Sequence, residues 1–186
     1  LREQVLSQGS IDRFVSDSRV KAENVNVRSV GNNIRFHEQG YHLPAIWPED
    51  IRPQIVKDPL AENNYAMTLK SAVKGWRMSM YLSDEYDGSK DYQLKVAMRV
   101  DWKNAKVQKE NKTHDILRVL VYDEKTKGVL LKRSIRPADV KDNAYTVLEI
   151  GDFTPKHRDR IIVLPVGVGK EVIESFYVDF IELVPK

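Results

Sequence analysis

The stretch of residues 91–102 has the most regular hydropathy pattern in the chain and most constrains its fold. Its sequence, DYQLKVAMRVDW, alternates apolar residues with polar or small ones. The apolar residues share one parity: Tyr92, Leu94, Val96, Met98, Val100 and Trp102. A period of two places these side chains on one face of a β-strand, whereas a helix would spread them around its circumference. We therefore predict a strand with one buried face.

Alternating patterns also precede this strand. Residues 65–69 and residues 76–82 each alternate apolar with polar positions, which predicts two half-buried strands. A turn sequence with Asp87 and Gly88 at its tip then leads into residues 91–102. This spacing favours an antiparallel hairpin between the second of these strands and residues 91–102.

Further strands follow to the end of the chain. Residues 116–122 and 129–135 flank the sequence EKTKG, and Gly128 can take the positive φ that a short hairpin loop needs. Three more apolar segments contain AYTVLEIGDF, DRIIVLPVGV and ESFYVDFIELV. The last is apolar on both parities, which is typical of a central strand covered on both sides. We interpret GVGK, before this strand, as a turn and not as a phosphate-binding loop.

The predicted fold is all-β: an antiparallel β-sandwich, with a barrel as the alternative. Near the start, Ile11, Phe14 and Val15 fit a short amphipathic helix. That helix either packs on the sandwich or is the tail of a preceding domain. We accordingly divide the chain into a helical appendage, residues 1–25, and a β domain, residues 26–186.

Composition excludes several kinds of chemistry. The chain has no cysteine, so disulfides, thiolate metal sites and cysteine nucleophiles are absent. Thirty Lys and Arg against 27 Asp and Glu, well interspersed, do not point to a nucleic-acid partner. No apolar run approaches the roughly 20 residues that span a bilayer. No catalytic motif was found, and we name no catalytic residue.

Aromatic side chains in a proline-rich passage are the best candidates for ligand contact. Tyr41 and Trp47 lie among four prolines that oppose regular structure. Their flat faces can stack on a sugar ring while nearby polar groups bond its hydroxyls. Arg77 and Tyr81 fall on the outward parity of their predicted strand and complete a shallow ligand-binding surface. Other tryptophans, such as Trp102, fall on core parities.

Four segments together resemble the galactose-binding-like jelly-roll modules attached to polysaccharide-degrading enzymes of Bacteroidetes. In order they are VKDPLAENNYAMTL, the strand of residues 76–82, DYQLKVAMRV and SFYVDFIELV, and the likeness spans residues 56–185. The family pattern of the middle strand is matched by Tyr92, Leu94, Arg99 and Val100. That of the closing strand is matched by Tyr177, Val178, Asp179, Ile181 and Leu183.

The resemblance implies a non-catalytic carbohydrate-binding module. Its partners would be a glycan or polysaccharide and a neighbouring catalytic domain in the same chain, and its location would be extracytoplasmic. The alternative is a structural or interaction domain that supports a catalytic domain and binds no sugar. An enzyme is the least favoured interpretation.

The resemblance also implies a structural calcium ion that ties an early segment to the closing strand. The acids that best match that arrangement are Asp58, Asp179 and Glu182. Oxygen ligands of this type suit calcium, and an acid between Val178 and Phe180 is costly to bury unless it is ligated or paired. The alternative for Asp179 is a hydrogen-bonded or arginine-paired carboxylate.

Overall fold

The computed structural model describes residues 28–30, 32–37, 41–42, 53–70, 78–82, 86–104, 113–157, 159–167 and 169–186. At residues 28–30, 41–42, 70, 80, 81 and 170 the description covers the backbone only. The predicted helix within residues 1–25 lies outside this part of the chain, so the division at residue 25 stays a prediction.

The described residues form an all-β fold, as predicted. The strands are β1 (Arg28–Val30), β2 (Asn33–Phe36), β3 (Tyr41–His42), β4 (Gln54–Lys57), β5 (Tyr65–Lys70), β6 (Met78–Tyr81), β7 (Tyr92–Trp102), β8 (Leu117–Asp123), β9 (Gly128–Ile135), β10 (Thr146–Phe153), β11 (Arg160–Pro165) and β12 (Ile173–Pro185). A 3-10 turn spans Pro137–Asp139, and a one-turn helix, α1, spans Gly169–Val172. Every strand pairing is antiparallel, and the strands divide into two sheets, A and B.

Sheet A is built around β7 and β12. These two strands pair along their whole length, from Tyr92 opposite Pro185 to Trp102 opposite Ile173. β10 pairs with the second edge of β7. The second edge of β12 is divided between β5, which pairs with its first half, and β2, which pairs with its second half. β4 then extends β5, and β1 extends β2.

The two strands at the centre of sheet A behave as predicted. In β7, Leu94, Val96 and Met98 are completely buried, and Trp102 is half-buried and packs against the core. β12 is buried on both faces over most of its length. Its pairing with β7 shifts between Val178 and Phe180, so that Asp179 is the extra residue of a β-bulge. Bulges re-aim the side chain of the extra residue, which bears on the function of this acid.

Sheet B has the strand order β3-β6-β11-β8-β9. The predicted hairpin is confirmed, because β8 pairs with β9 from Leu117 opposite Ile135 to Asp123 opposite Gly128. The positive φ, however, belongs to Lys127 (φ 58) and not to Gly128 as predicted. The Asp123 carboxylate accepts the backbone N–H groups of Lys125 and Thr126, and so fixes a loop whose left-handed position falls on Lys127.

The predicted hairpin between β6 and β7 is wrong. β6 pairs with β3 and β11 in sheet B, whereas β7 belongs to sheet A. The connection between β6 and β7 therefore crosses from one sheet to the other. The hairpin was predicted because β6 and β7 are close in sequence. Strands from the last part of the chain pair with them instead: β11 with β6, and β12 with β7.

The inner faces of the two sheets share one hydrophobic core. Phe36, Leu69, Met98 and Phe176 contribute to it from sheet A, and Met78, Leu117, Val119 and Ile161 from sheet B. All of these side chains are at most 1% exposed. Burial of each large side chain contributes about 1.5–3 kcal/mol to folding, so this shared core holds the sandwich together.

Candidate functional site

The sequence-predicted ligand residues fall partly within the described chain. The backbone of Tyr41 lies in β3 opposite Met80, and that of Tyr81 lies in β6 opposite Arg160. Tyr41 therefore shares the parity of Met80, which is opposite to that of Tyr81, so the register of β3 and β6 does not bring the two tyrosine positions to one face of sheet B. Trp47 and Arg77 lie outside the described residues, so the grouping of all four stays a prediction.

Next to Tyr81, sheet B carries an arginine and a second tyrosine in register. Arg160 of β11 lies opposite both Tyr81 of β6 and Tyr122 of β8. The Arg160 guanidinium carbon is 5.5 Å from the centroid of the Tyr122 ring, and its Nη2 donates to Glu124 Oε1 at 2.8 Å. Such contacts to a ring face and a carboxylate hold the arginine in one orientation.

This pair belongs to a wider surface, the outer face of sheet B. It consists of the alternate residues that point away from the core: Arg118, Leu120 and Tyr122 in β8, Arg160, Ile162 and Leu164 in β11, and Lys132 and Ser134 in β9. Lys132 is exposed, and Ile162 is buried. The Arg118 Nε atom is buried and has no hydrogen-bond partner among the described residues. Apolar, aromatic and cationic side chains therefore share this face.

The acids predicted to bind calcium lie on the opposite side of the molecule, around the outer face of sheet A. Asp58 is buried between Arg99 and Tyr145: Arg99 Nη2 donates to Asp58 Oδ2 at 2.9 Å, and the Tyr145 hydroxyl donates to the same oxygen at 2.8 Å. Burial raises the pKa of Asp58, but hydrogen bonds from the Leu60 N–H, Tyr145 and Arg99 outweigh it and leave the pKa lowered. The Arg99 guanidinium also lies 3.9 Å above the Tyr177 ring.

Glu182 has an arginine partner as well. Its Oε1 atom accepts from Arg35 Nε at 3.1 Å and from Arg35 Nη2 at 2.7 Å. Arg35 Nη1 reaches Glu62 Oε2 at 2.6 Å, so one guanidinium bridges two carboxylates. It also lies 3.9 Å above the Phe180 ring. This arginine links β2, the loop before β5, and β12.

Asp179, the bulge residue, has weaker compensation for its charge. Asp179 Oδ2 accepts the backbone N–H of Glu62 at 2.9 Å, whereas Oδ1 has no hydrogen-bond partner in the described chain. The nearest charged or chargeable partner of Oδ1 is His37 Nδ1 at 3.9 Å. Burial, opposed in part by the Glu62 N–H, raises the pKa of Asp179 to about 6.

The three predicted calcium ligands thus surround one region of sheet A but do not converge. Among the described residues, no group of three or more His, Asp or Glu side chains is arranged to hold a metal ion. Asp58 and Glu182 direct oxygens to Arg99 and Arg35, which supply positive charge there. Of the three, only Asp179 keeps a buried oxygen without a hydrogen-bond partner in the described chain. These contacts do not test the calcium ion that the resemblance implies.

Asp87, at the tip of the predicted turn before β7, has a simpler role. It is exposed, and its Oδ1 accepts the backbone N–H and the hydroxyl of Ser89. This is the arrangement of a polar turn.

Several residues in these two clusters were missed by the sequence analysis. Arg35, Arg99 and Tyr145 contact the predicted acids, and Tyr122 and Arg160 lie beside Tyr81. Strand parity was a usable signal for Tyr122 and Arg160, because each alternates with buried residues. No local signal connects Arg35 with Glu182, which are 147 positions apart.

Comparison of the sequence with protein-family models gave no match, and none of the curated proteins matched. Comparison of the fold with solved structures did give matches. The CBM22-1 xylan-binding domain from Paenibacillus barcinonensis Xyn10C is similar with a TM-score of 0.50 and 10% identity, over 80% of this chain and 87% of that one. A xylan-binding module CBM15 has a TM-score of 0.50 and 10% identity, over 83% of this chain and 97% of that one.

A larger protein is also similar in part. The Podospora anserina GH26-CBM35 β-(1,4)-mannanase matches with a TM-score of 0.48 and 9% identity, over 83% of this chain. The chain spans 28% of the length of that protein. At 10% identity, the matches to the two xylan-binding modules show that this chain shares their fold.

Proposed function

We propose that this chain is a non-catalytic carbohydrate-binding module. The observation that carries the proposal is the fold, which two xylan-binding modules share over at least 80% of the chain. A fold hosts many functions, so the proposal also needs a suitable surface. Sheet B supplies one, because Tyr122 and Arg160 are held together on its outer face beside the backbone position of Tyr81.

We place the ligand surface on sheet B and the passage around it. Tyr41 and Trp47 act as stacking platforms, and Arg77 and Tyr81 contribute polar contacts from β6 and its approach. An aromatic face with a few hydrogen-bond donors is the combination that sugar rings require.

We further propose that the module is part of a polysaccharide-degrading enzyme, with a catalytic domain as its neighbour in the chain. Polymeric substrates of such enzymes occur outside the cytoplasm, so the proposed location is extracytoplasmic. Among the described residues, no helix has the length and apolar character to cross a membrane.

Affinity electrophoresis against a panel of plant and host polysaccharides tests the proposal. Retardation on at least one polymer is expected, and Trp47→Ala should abolish it with a nearly unchanged melting temperature. Trp102→Phe, at a half-buried position of sheet A, controls for the loss of a tryptophan and should keep binding. A large loss of stability in Trp47→Ala would place Trp47 in the core and contradict its role as a platform.

The second candidate function is a structural or interaction domain without sugar binding. A folded protein that no polysaccharide retards would favour it. Deletion of residues 1–25 adds a second criterion: if sugar binding survives, the segment is an appendage, and if the fold collapses, it is part of the core.

A further inference from the structure

We propose that the outer face of sheet B selects anionic glycans, that is, polysaccharides that carry carboxylate groups such as uronic acids. The inference rests on the proposed carbohydrate-binding function and specifies its ligand class. Its basis is the arrangement of three cationic side chains, Arg118, Lys132 and Arg160, on this one face.

The three cations lie in successive outward-facing rows of paired residues across sheet B. Arg160 is paired with Tyr122, Lys132 with Leu120, and Arg118 with Ser134. Adjacent strands are roughly 4.8 Å apart, and alternate residues of one strand are roughly 6.8 Å apart. The cations are therefore spread over three such rows along the face, as contacts to an extended polysaccharide would require.

The acids near these cations compensate them only in part. Glu124 accepts from Arg160 and from Lys127, each at 2.8 Å, and Asp115 lies 3.5 Å from Arg136. A hydrogen bond from the Ser134 hydroxyl, and to a smaller extent the charges of Arg136 and Arg118, lower the pKa of Asp115, so this acid is ionised.

Two of the cations lack such compensation. Lys132 forms no ion pair with an acid of the described chain, and Arg118 Nε has no hydrogen-bond partner there. The described residues therefore leave a net positive charge on this face.

Carboxylates are the ligand groups that match these donors. A guanidinium presents parallel N–H groups that bind a carboxylate in a bidentate manner, and hydrogen bonds between charged groups are stronger than those to neutral hydroxyls. Tyr122 offers an apolar ring beside Arg160, and Leu120 lies at the middle of the face. A sugar ring with a carboxylate substituent fits this combination better than a neutral sugar.

The test uses glucuronoxylan and the same polymer after chemical reduction of its carboxyl groups. We expect the unreduced polymer to bind at least about tenfold more tightly, because hydrogen bonds between charged groups are stronger than those to neutral hydroxyls. Raising the salt concentration should weaken that difference. Lys132→Gln and Arg118→Gln should each remove most of the difference in affinity between the two polymers.

Lys57→Gln is the matched control, since Lys57 is an exposed lysine of β4 in sheet A and its loss changes the net charge equally. It should leave both affinities unchanged. Because Lys132 is exposed, Lys132→Gln should fold normally even if Arg118→Gln does not. Circular dichroism spectra and thermal melts verify this.

The outcomes separate the two proposals. Equal binding of the two polymers, unaffected by Lys132→Gln, overturns the anionic selectivity and leaves the carbohydrate-binding function in place. No binding of either polymer or of the neutral panel overturns both. Binding of a single-stranded DNA oligonucleotide as tight as that of glucuronoxylan would also overturn the inference, because it would show a general polyanion surface.

Discussion

Three acidic side chains on sheet A are buried, and the surrounding residues compensate them to different degrees. Asp58 has Arg99 and Tyr145, and Glu182 has Arg35. Asp179 has a single backbone N–H within hydrogen-bond distance in the described chain and a histidine at 3.9 Å. A buried charge without a close partner is unfavourable, so ionised Asp179 destabilises the fold.

Asp179→Asn should therefore stabilise the protein relative to wild type as the pH rises. The asparagine keeps an oxygen to accept the Glu62 N–H but cannot ionise. With a pKa of about 6 in the folded protein and an ordinary value of 3.8, wild-type Asp179 binds its proton more tightly when folded. The stability that protonated Asp179 contributes is thus lost as the pH rises from about 4 to about 6, and it is not regained at higher pH. Urea denaturation from pH 4 to pH 8 measures the difference between the two proteins.

Glu171→Gln is the control for that experiment, because Glu171 is exposed and the exchange is again carboxyl to amide. It should show no comparable pH dependence. Asp179→Asn could instead be no more stable than wild type at any pH, or become less stable than wild type as the pH rises. Either result would mean that the charge of ionised Asp179 is well compensated, by a metal ion or otherwise.

At this scale the sequence predicted which acids matter but not what neutralises them. Asp179 was selected because it interrupts an apolar strand, and it is indeed buried. Arg99 and Asp58 are 41 positions apart, and Arg35 and Glu182 are 147 apart. Such contacts depend on strand order, which hydropathy patterns do not encode.

At the scale of the element, strands were easier to predict than their partners. The alternation in β7 and the double-sided apolar pattern of β12 identified both central strands of sheet A. The hairpin of β8 and β9 was also predicted, because a four-residue loop leaves few alternatives. The predicted partner of β6 was wrong. A strand whose connection crosses to the other sheet has the same apolar pattern as a strand that forms a hairpin.

One tight contact between elements gives a prediction. α1 begins at Gly169, where a Cβ atom added to the glycine would overlap the Ile116 carbonyl oxygen and lie 2.7 Å from the Ile116 Cα atom. Both are backbone atoms, which cannot rotate away as the end of a side chain can. Gly169→Ala should therefore force α1 away from the start of β8 and destabilise the protein by about 1–3 kcal/mol, the usual cost of overpacking. The midpoint of urea denaturation measures it.

Gly128→Ala is the matched control. The nearest atom to its added Cβ is Thr126 Oγ1 at 3.4 Å, at the end of a side chain, and the φ of Gly128 is not positive. Its effect should be small. Equal stability of Gly169→Ala and wild type would show that α1 moves freely relative to β8, contrary to their close packing.

At the scale of the whole molecule, the sandwich was predictable and its ligand surface only partly so. Strand periodicity and turn spacing are repeated many times along the chain, so individual errors do not change the fold class. A binding surface depends on a few side chains from different strands. Tyr81 was predicted from strand parity, yet Arg160 and Tyr122, its register neighbours, come from 79 and 41 positions further along the chain.

Whether calcium stabilises the fold is also a question for the whole molecule, because Asp58 and the closing strand lie far apart in sequence. The arginine partners of Asp58 and Glu182 already supply positive charge where the ion was predicted. We therefore expect EDTA and added calcium to leave the thermal midpoint unchanged. A bound ion would instead stabilise the folded state in proportion to ln(1 + [L]/Kd), or about 2.7 kcal/mol at a hundredfold excess over Kd.

Magnesium, which prefers a smaller and more regular oxygen site, is the control for a general effect of divalent ions. A midpoint that falls by more than about 4 °C in EDTA and recovers with calcium but not with magnesium would establish the ion. In that case Asp179→Asn should also abolish the response to calcium. If the midpoint does not move, the ion pairs of Arg35 and Arg99 account for the burial of two of these acids, and Asp179 remains the one whose ionisation the fold disfavours.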